Sequence, residues 1–207
     1  MRKEEQHQQK RLDILQGFSE LIADHGLENV SIAKLAKHLS IPASLIFYYF
    51  KNKEELVDEA VDYVLSVCKE KSIQSIKENE NADGEIEFAD FLEELFLNYE
   101  SADEVSHLRA YYVCYNLALR DSAAREKFYR HQTELKSVFQ ERLDYFVKYK
   151  GIPISDSGEA AEILFCLVSG LGTAVDFMDD EKKKEKISRQ NLQLFLTYLG
   201  LKPQEFK

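Results

Sequence analysis

Residues 31–56, SIAKLAKHLSIPASLIFYYFKNKEEL, hold the side chains whose types and spacing best indicate a chemical role. The stretch has the pattern of two short helices around a tight turn, followed by aromatic residues, a lysine and the start of another helix. Helix, turn and helix in this order can place one helix in a groove of duplex DNA. Hydroxyl and ammonium groups beyond the second helix can then bind phosphates on either side. The segment therefore predicts DNA binding.

Capping residues predict where the helices on either side of the turn begin. Ser31 is a good N-cap, and Val30 and Leu35 stand at the positions of a hydrophobic staple. After the aromatic residues, Asn52 is predicted to cap the next helix, with Glu55 completing a capping box.

The second helix predicted in this segment is short, and the side chains at its start are small. Ser40 interrupts the apolar pattern and is expected to cap a helix over 41–48, with Pro42 tolerated in its first turn because no N–H partner is lost there. Ala43 and Ser44 then follow at the exposed start of the helix. Small side chains at these positions would let the backbone approach the floor of a groove closely.

The segment resembles the DNA-binding domain of TetR-family transcriptional regulators over roughly the first quarter of the chain. The matching residues are Ile14, Phe18, Leu21, Ile22 and Gly26 on the first helix, Ser31, Ile32, Leu35 and Ala36 on the second, and then Ser44, Leu45, Phe47, Tyr48, Tyr49, Phe50, Lys53 and Leu56. Three positions depart from the family pattern. Ser40 and Ser44 stand where glycine is usual or common, and Phe47 replaces a common tyrosine. Without that hydroxyl, Phe47 is expected to lie in the core.

The resemblance implies DNA contacts for eight residues. Ser31 and its backbone N–H would hold a phosphate at a helix N-terminus. Tyr48 and Tyr49 would reach phosphates or thymine methyl groups, and Lys53 would pair with a phosphate. The residues that would face base edges are Pro42, Ala43, Ser44 and Leu45, so base recognition is expected to use apolar contact, water or DNA shape. The alternative is that the two tyrosines are core aromatics and Lys53 a solvated charge.

The charge distribution bears on DNA binding more than the net charge of −10 does. Residues 1–55 contain eight basic and eight acidic side chains, so the acidic excess lies entirely in the remainder. The basic residues expected near phosphates are Lys3, Lys10, Lys34, Lys37, Lys51 and Lys53. Arg2, Lys3, Lys10 and Arg11 form a basic arm, for which a solvated terminus without DNA contact is the alternative. Because the segment is neutral overall, a helical small-molecule-binding or scaffolding dimer without DNA affinity also stays open.

Composition describes a globular chain, with 44% hydrophobic and 31% charged residues. The polar N-terminus is expected to be neither a signal peptide nor an anchor, and the longest apolar stretch, 163–168, is too short to span a bilayer. Cys68, Cys114 and Cys166 lack the spacing of a metal site and indicate reduced thiols in the cytoplasm. Cys114 and Cys166 are expected to be inert. No catalytic motif, metal site or cofactor is predicted, although an all-helical enzyme with a polar cavity remains a rival.

Helical periodicity continues through the rest of the chain and predicts an all-α fold. We expect a helix–turn–helix DNA-binding domain at residues 8–52 and a larger helical bundle for ligand binding and dimerisation at 53–207. A loop is predicted at Gly84, and Ser101 with Glu104 is predicted to form a capping box. The helices expected in the larger domain cover about 52–76, 85–100, 104–120, 122–149, 157–178 and 184–199.

Residues 159–178 are apolar on nearly all sides, so this helix should be buried on more than one side. In the resembling family the last two helices pair across a two-fold axis as a four-helix bundle, and this segment has the matching character and place. The expected dimer-interface residues are Val168, Gly170, Leu171, Gly172, Val175, Leu194 and Tyr198. The alternative is a core helix of a single chain. A homodimer would meet a pseudo-palindromic site with half-sites about one turn of DNA apart.

Aromatic residues make up 12% of the chain, and many fall on the helices of the larger domain. By analogy with the family, they would line a cavity for a small apolar or aromatic effector. The candidate lining residues are Phe91, Tyr112, Tyr115, Asn116, Phe139 and Phe165; the alternative is a close-packed aromatic core. Effector binding would then change the separation of the two DNA-binding domains and release a repressor from its operator.

Overall fold

The structure is a computed structural model that describes residues 2–78, 86–98 and 106–201. The predicted loop at Gly84 and the predicted capping box of Ser101 and Glu104 lie outside these ranges. The described residues form helices and no strand, which confirms the all-α prediction. The helices are α1 (Arg2–His25), α2 (Ile32–His38), α3 (Ala43–Tyr49), α4 (Lys53–Glu78), α5 (Phe88–Leu97), α6 (Ser106–Ala118), α7 (Ser122–Lys150), α8 (Ser157–Val175) and α9 (Glu181–Tyr198), with a short 3₁₀ helix at Leu27–Asn29.

The predicted N-caps Ser31 and Asn52 are confirmed, whereas the capping box predicted for Glu55 does not form in its expected register. The Ser31 hydroxyl accepts a hydrogen bond from the Lys34 N–H at 3.2 Å. Asn52 Oδ1 accepts from the Glu55 N–H at 2.8 Å. The Glu55 carboxylate accepts in return from the Lys51 N–H at 2.6 Å, one residue before the position expected for a capping box. Each cap satisfies an N–H group that the helix itself leaves unpaired.

The start of α3 differs from the prediction. Ser40 does not cap this helix; it has a left-handed backbone, with φ 53°, in the turn after α2. Pro42 is the N-cap of α3 instead. The Ile41 N–H donates to the Ala36 carbonyl at 3.0 Å and the Ser40 N–H to the Lys37 carbonyl at 3.2 Å. These two bonds make a Schellman motif, in which the left-handed position is usually glycine.

Two compact units make up the chain, and the first comprises Met1–Glu70 and Ala102–Arg130. It contains α1, α2, α3 and α6, together with the first parts of α4 and α7. Its core includes Ile14, Phe18, Leu35, Ile46, Phe50 and Leu56, all at most 1% exposed. The unit is larger than the predicted 8–52 domain because α6 packs against α1. The domain division at residue 52 remains a prediction about function.

The second unit comprises Lys71–Ser101 and His131–Lys207. Here α9 packs against both α5 and α8. Its core includes Phe91, Phe96, Leu143, Phe146, Leu164 and Phe195, all fully buried. Asp156 caps α8 by accepting from the Glu159 N–H at 2.9 Å, and Asp180 caps α9 by accepting from the Lys182 N–H at 3.0 Å. The predicted starts near residues 157 and 184 are therefore close to those observed.

Helix α8 is long and apolar enough, by length and composition alone, to cross a membrane. The uninterrupted apolar run at 163–168, which by itself is too short to span a bilayer, is only part of this helix. The finding is weak evidence for a membrane span, because the core helix of a globular protein satisfies the same test. Only one side of α8 is buried within its own unit: Leu164, Leu171 and Val175 face the core, whereas Gly170 and Thr173 are exposed.

Candidate nucleic-acid interface

Helix α3 buries one side in the first unit and exposes the other. Ile46 and Phe50 anchor it, with relative exposures of 0% and 1%. The exposed residues at its start and along its outer face are Pro42, Ser44, Phe47 and Tyr48. Ala43, Leu45 and Tyr49 are half-buried. A short helix held by two buried side chains and open along one face has the shape needed to enter a groove.

Phe47 is exposed to 51%, so the prediction that it belongs to the core is wrong. The reason is helical geometry: successive residues are turned by about 100° around the axis, and the adjacent Ile46 takes the buried direction. The absence of a tyrosine hydroxyl at this position therefore does not predict whether the side chain is buried. Phe47 therefore presents an apolar ring on the outer face of α3.

Tyr48 and Tyr49 form an aromatic cluster with His7 of α1. The Tyr48 and Tyr49 rings are perpendicular, with centroids 5.0 Å apart. The His7 ring lies 4.7 Å from that of Tyr49 and 5.9 Å from that of Tyr48. Tyr48 is 70% exposed, which excludes it from the core. Sequence analysis missed His7, because nothing local to residue 7 indicates a partner some forty positions later in the chain.

Arg11 fastens the end of α3 to α1 and α4. Its guanidinium forms a two-point ion pair with Glu59, one bond of which is 2.8 Å, and donates to the Tyr49 carbonyl. It also lies over the Phe50 ring, 4.4 Å from the centroid. Hydrogen bonding to Glu59 raises the pKa of Arg11 above its usual value. The prediction that Arg11 belongs to a basic arm for DNA is therefore wrong, because its donors are engaged inside the protein.

Ser31 and Lys53 are the predicted phosphate contacts at the starts of α2 and α4. They differ in whether the side chain is already hydrogen-bonded to another part of the protein. Ser31 is exposed at the N-terminus of α2, where the helix dipole favours an anion. The Lys53 ammonium donates to the Leu27 carbonyl at 3.3 Å. That bond uses one of its three protons, so Lys53 keeps donors for a phosphate while its position is fixed.

Three lysines, two on α2 and one just after α3, lack ion pairs to any residue in the described ranges: Lys34, Lys37 and Lys51. Two other basic groups are engaged. Lys10 lies 3.6 Å from Asp13, and His38 lies 3.3 Å from Glu20. Cations that no carboxylate neutralises give a surface local affinity for a polyanion, even when the segment as a whole is neutral.

The six candidate effector contacts are divided between the two units. Phe91 and Phe139 are buried in the core of the second unit, where Phe91 packs 5.4 Å from Phe146, and Phe165 is half-buried there. The remaining three, Tyr112, Tyr115 and Asn116, lie on α6 in the first unit, the last two exposed. Neither unit by itself brings the six together. A gap of about 10 Å³ between α1, α4 and α6 has room for about one water molecule and not for an organic effector.

The seven candidate dimer residues fall into two groups. Leu171 and Val175 are buried in the core of their own unit, at 4% and 1% exposure, so their side chains do not lie on the open side of α8. Gly170, Leu194 and Tyr198 are exposed, and Val168 and Gly172 are half-buried. A residue that the sequence did not single out, Phe177, is the most exposed large apolar side chain among those described, at 85%.

The three cysteines are free thiols in different surroundings. Burial raises the pKa of both Cys68 and Cys114 to about 12. Cys166 is exposed on α8, so its expected inertness is not explained by burial. Within the described ranges, no group of three or more potential metal ligands comes together.

Comparison with known proteins identifies the family. Residues 14–60 match the family model described as bacterial regulatory proteins, tetR family. Residues 87–199, more than half of the chain, match the tetracyclin repressor-like C-terminal domain. An uncharacterized HTH-type transcriptional regulator of Haemophilus influenzae is 39% identical over 54 residues, which are 26% of this chain and 29% of that protein.

Solved structures agree over nearly the whole chain. A TetR transcription regulator from Haloarcula marismortui superposes with a TM-score of 0.71 at 18% identity, covering 92% of this chain and 98% of that one. A transcriptional regulator from Saccharomonospora viridis, solved in complex with choline, gives 0.69 at 19% identity, covering 92% and 97%. At these identities the likeness shows the fold. With the two family matches, it establishes that the chain belongs to the TetR family of transcriptional regulators, with a helix–turn–helix DNA-binding domain, and is not an enzyme.

Proposed function

We propose that this protein is a homodimeric repressor that holds two α3 helices against a pseudo-palindromic operator in the cytoplasm. The observation that carries the proposal is the exposed face of α3 flanked by lysines without ion pairs. We assign phosphate contacts to Ser31, Tyr48, Tyr49 and Lys53. The residues assigned to the groove floor are Pro42, Ala43, Ser44 and Leu45, where half-buried Ala43 and Leu45 would contribute mainly backbone and methyl surface.

The open face of α8 and α9 supports a second copy of the chain as the partner. On α8, Cys166, Gly170 and Thr173 recur at helical spacing and are all exposed, and Phe177 is exposed in the turn just after the helix. On α9, Leu194 and Tyr198 are exposed one turn apart, at 57% and 41%. A Cβ added at Gly170 would meet nothing within 4 Å, so the backbone there is open to close approach by another helix. Val168 and Gly172 would border this contact.

A small apolar or aromatic effector is proposed to release the repressor. The repressor-like description of the matching C-terminal domain supports this role, and the Saccharomonospora protein of the same fold was solved with a small molecule, choline. An effector that binds the free conformation more tightly than the DNA-bound one lowers operator affinity by linkage. Of the six candidate effector contacts, Phe91, Phe139 and Phe165 share one unit and would have to move apart to make room.

Selection from a random pool of duplexes, followed by a mobility shift at several salt concentrations, tests DNA binding. Lys53→Ala should weaken binding to all duplexes alike and lower the salt slope by about one, because one phosphate is no longer neutralised. Lys182→Ala, an exposed lysine in the first turn of α9, is the matched control and should leave the slope unchanged.

If the wild-type protein retards no duplex at low salt, the repressor proposal fails. If it binds but both lysine variants have the wild-type slope, Lys53 is not a phosphate contact and the rest of the surface remains to be assigned.

A further inference from the structure

Phe47 is the apolar residue that α3 presents on its outer face. Its ring is 51% exposed, whereas the flanking Ile46 and the later Phe50 are almost fully buried. Ser44 lies one turn earlier on the same side of the helix and is also exposed. Since Ser44 is proposed to face base edges, the ring of Phe47 continues the same surface along the groove.

A phenyl ring cannot bind the DNA backbone as its neighbours can. It has no donor for a phosphate oxygen, and the adjacent Tyr48 hydroxyl and the Lys51 ammonium, which are both exposed, can fill that role. The major groove does contain one apolar group on the bases, the C5-methyl of thymine, which apolar side chains such as Phe contact. Burying the exposed ring against that methyl removes apolar surface of both partners from water.

We propose that Phe47 determines operator specificity by packing its ring against the C5-methyl of a thymine, so that each half-site contains a thymine at one defined position. This inference rests on the proposed function, because it requires α3 to lie in the major groove. It assigns base recognition at that position to apolar contact, without a hydrogen bond from the side chain.

The experiment removes that methyl group alone. A duplex selected by the full-length protein is resynthesised with each thymine replaced in turn by deoxyuridine, which keeps the base pair and lacks only the C5-methyl. Loss of one buried methyl should weaken wild-type binding about fourfold per half-site, at one symmetry-related pair of positions. Substitutions at the other thymines should have smaller effects.

Variants of the protein then show which side chain senses the methyl. Phe47→Ala should bind the thymine and deoxyuridine duplexes equally, whereas Phe47→Leu, which keeps an apolar side chain, should retain part of the discrimination. Leu119→Ala is the matched control, since Leu119 is an exposed apolar residue following α6, 58% exposed, and should discriminate as the wild type does.

The possible outcomes distinguish a failure of this inference from a failure of the proposed repressor function. If no duplex is selected, the DNA-binding proposal fails and this inference with it. If duplexes bind but no deoxyuridine substitution weakens binding, or if the methyl effect persists in Phe47→Ala, the inference about Phe47 is overturned while the repressor proposal stands.

Discussion

Ser40 has a backbone conformation that favours glycine, the residue without a side chain. Its φ of 53° lies in the left-handed region, which costs a residue with a Cβ about 1–2 kcal/mol. The same motif closes α9, where Gly200, with φ 73°, takes the equivalent place and the Leu201 N–H donates to the Leu196 carbonyl at 2.9 Å. One chain thus ends two helices by the same hydrogen bonds, once with glycine and once with serine. This explains in physical terms why the family usually has glycine at the position of Ser40.

Ser40→Gly should therefore raise the free energy of unfolding by about 0.5–1 kcal/mol, since relief of the left-handed backbone exceeds the entropy that glycine gains in the unfolded chain. Urea denaturation measures the change. Ser44→Gly is the matched control: it places the same residue in a regular helix and should lower stability by about 0.5–1 kcal/mol. Changes of the same sign in both variants would contradict this account.

The buried thiols predict a loss of stability in alkali. Burial raises the pKa of Cys68 and of Cys114 to about 12, from about 9 in the unfolded chain. Between these values the folded state holds more protons than the unfolded state, so the free energy of unfolding falls as pH rises. The contribution is complete below about pH 9 and is lost towards pH 12.

Urea unfolding at pH 8, 9 and 10 should show this fall, and a double variant with Cys68→Ala and Cys114→Ala should show a shallower one. Burial also raises the pKa of Tyr111, which adds a residual slope at the highest pH in both proteins. Equal slopes for wild type and double variant would mean that the thiols ionise normally in the folded protein.

Among the helices, α1 positions α3 through two residues one turn apart. His7 contacts the rings of Tyr48 and Tyr49, and Arg11 binds the Tyr49 carbonyl. Arg11 also pairs with Glu59, so the end of α3 is tied to α4 as well. The side chains of the ion pair are only about a quarter exposed, which places it between a buried and a surface pair in strength.

Arg11→Gln should lower the free energy of unfolding by about 1–2 kcal/mol, because it removes charge-assisted hydrogen bonds and the contact over Phe50. It should also weaken operator binding, since α3 loses one of its fixed ends. Arg120→Gln is the control: its pair with Glu28, at 3.6 Å, joins two well-exposed side chains and should be worth less than about 0.5 kcal/mol.

Calorimetry and a mobility shift on the same preparations measure the two effects. Equal stability of the two arginine variants would show that the Arg11 contacts contribute no more than a surface pair. Lost stability with unchanged DNA affinity would show that α3 is positioned by its own buried residues, Ile46 and Phe50, alone.

For the molecule as a whole, the exposed side of α8 is the feature that indicates a partner. The helix is long and apolar enough to cross a membrane, yet the exposed residues of its C-terminal half are small: Ser169, Gly170, Thr173 and Ala174 leave a shallow surface. A bilayer would gain little from such a surface, whereas a second helix can approach it closely. Self-association through this face would also supply the second α3 that a pseudo-palindrome requires.

Gly170→Arg should convert the dimer to a monomer, because the new side chain meets open space in one subunit but would bury an unpaired charge between two. Sedimentation equilibrium should give a mass near 24.0 kDa, with unchanged helical content by circular dichroism. The exposed Cys166 thiol, one turn from Gly170, should also react faster with Ellman's reagent than in the wild type.

Ala123→Arg, at an exposed position in the first turn of α7, is the control and should remain dimeric. A dimeric Gly170→Arg variant would exclude this face of α8 as the interface.

Local sequence is sufficient to place several helix starts, although not that of α3, and to indicate the family. Ser31, Asn52, Asp156 and Asp180 cap their helices through N–H groups two or three residues away, so nothing distant is needed to place them. The spacing of apolar and aromatic residues in the first quarter of the chain is enough to indicate a helix–turn–helix of the TetR type.

The role of each side chain depends instead on how the helices pack. Phe47 and Ile46 are adjacent and both apolar, and the packing of α3 against the core selects which one is buried. Arg11 has the sequence context of a solvated cation, but the fold brings it to Glu59 and Tyr49, 48 and 38 residues away. Such contacts could not be predicted because they depend on which helix faces pack together. The sequence of a single helical turn does not specify that packing.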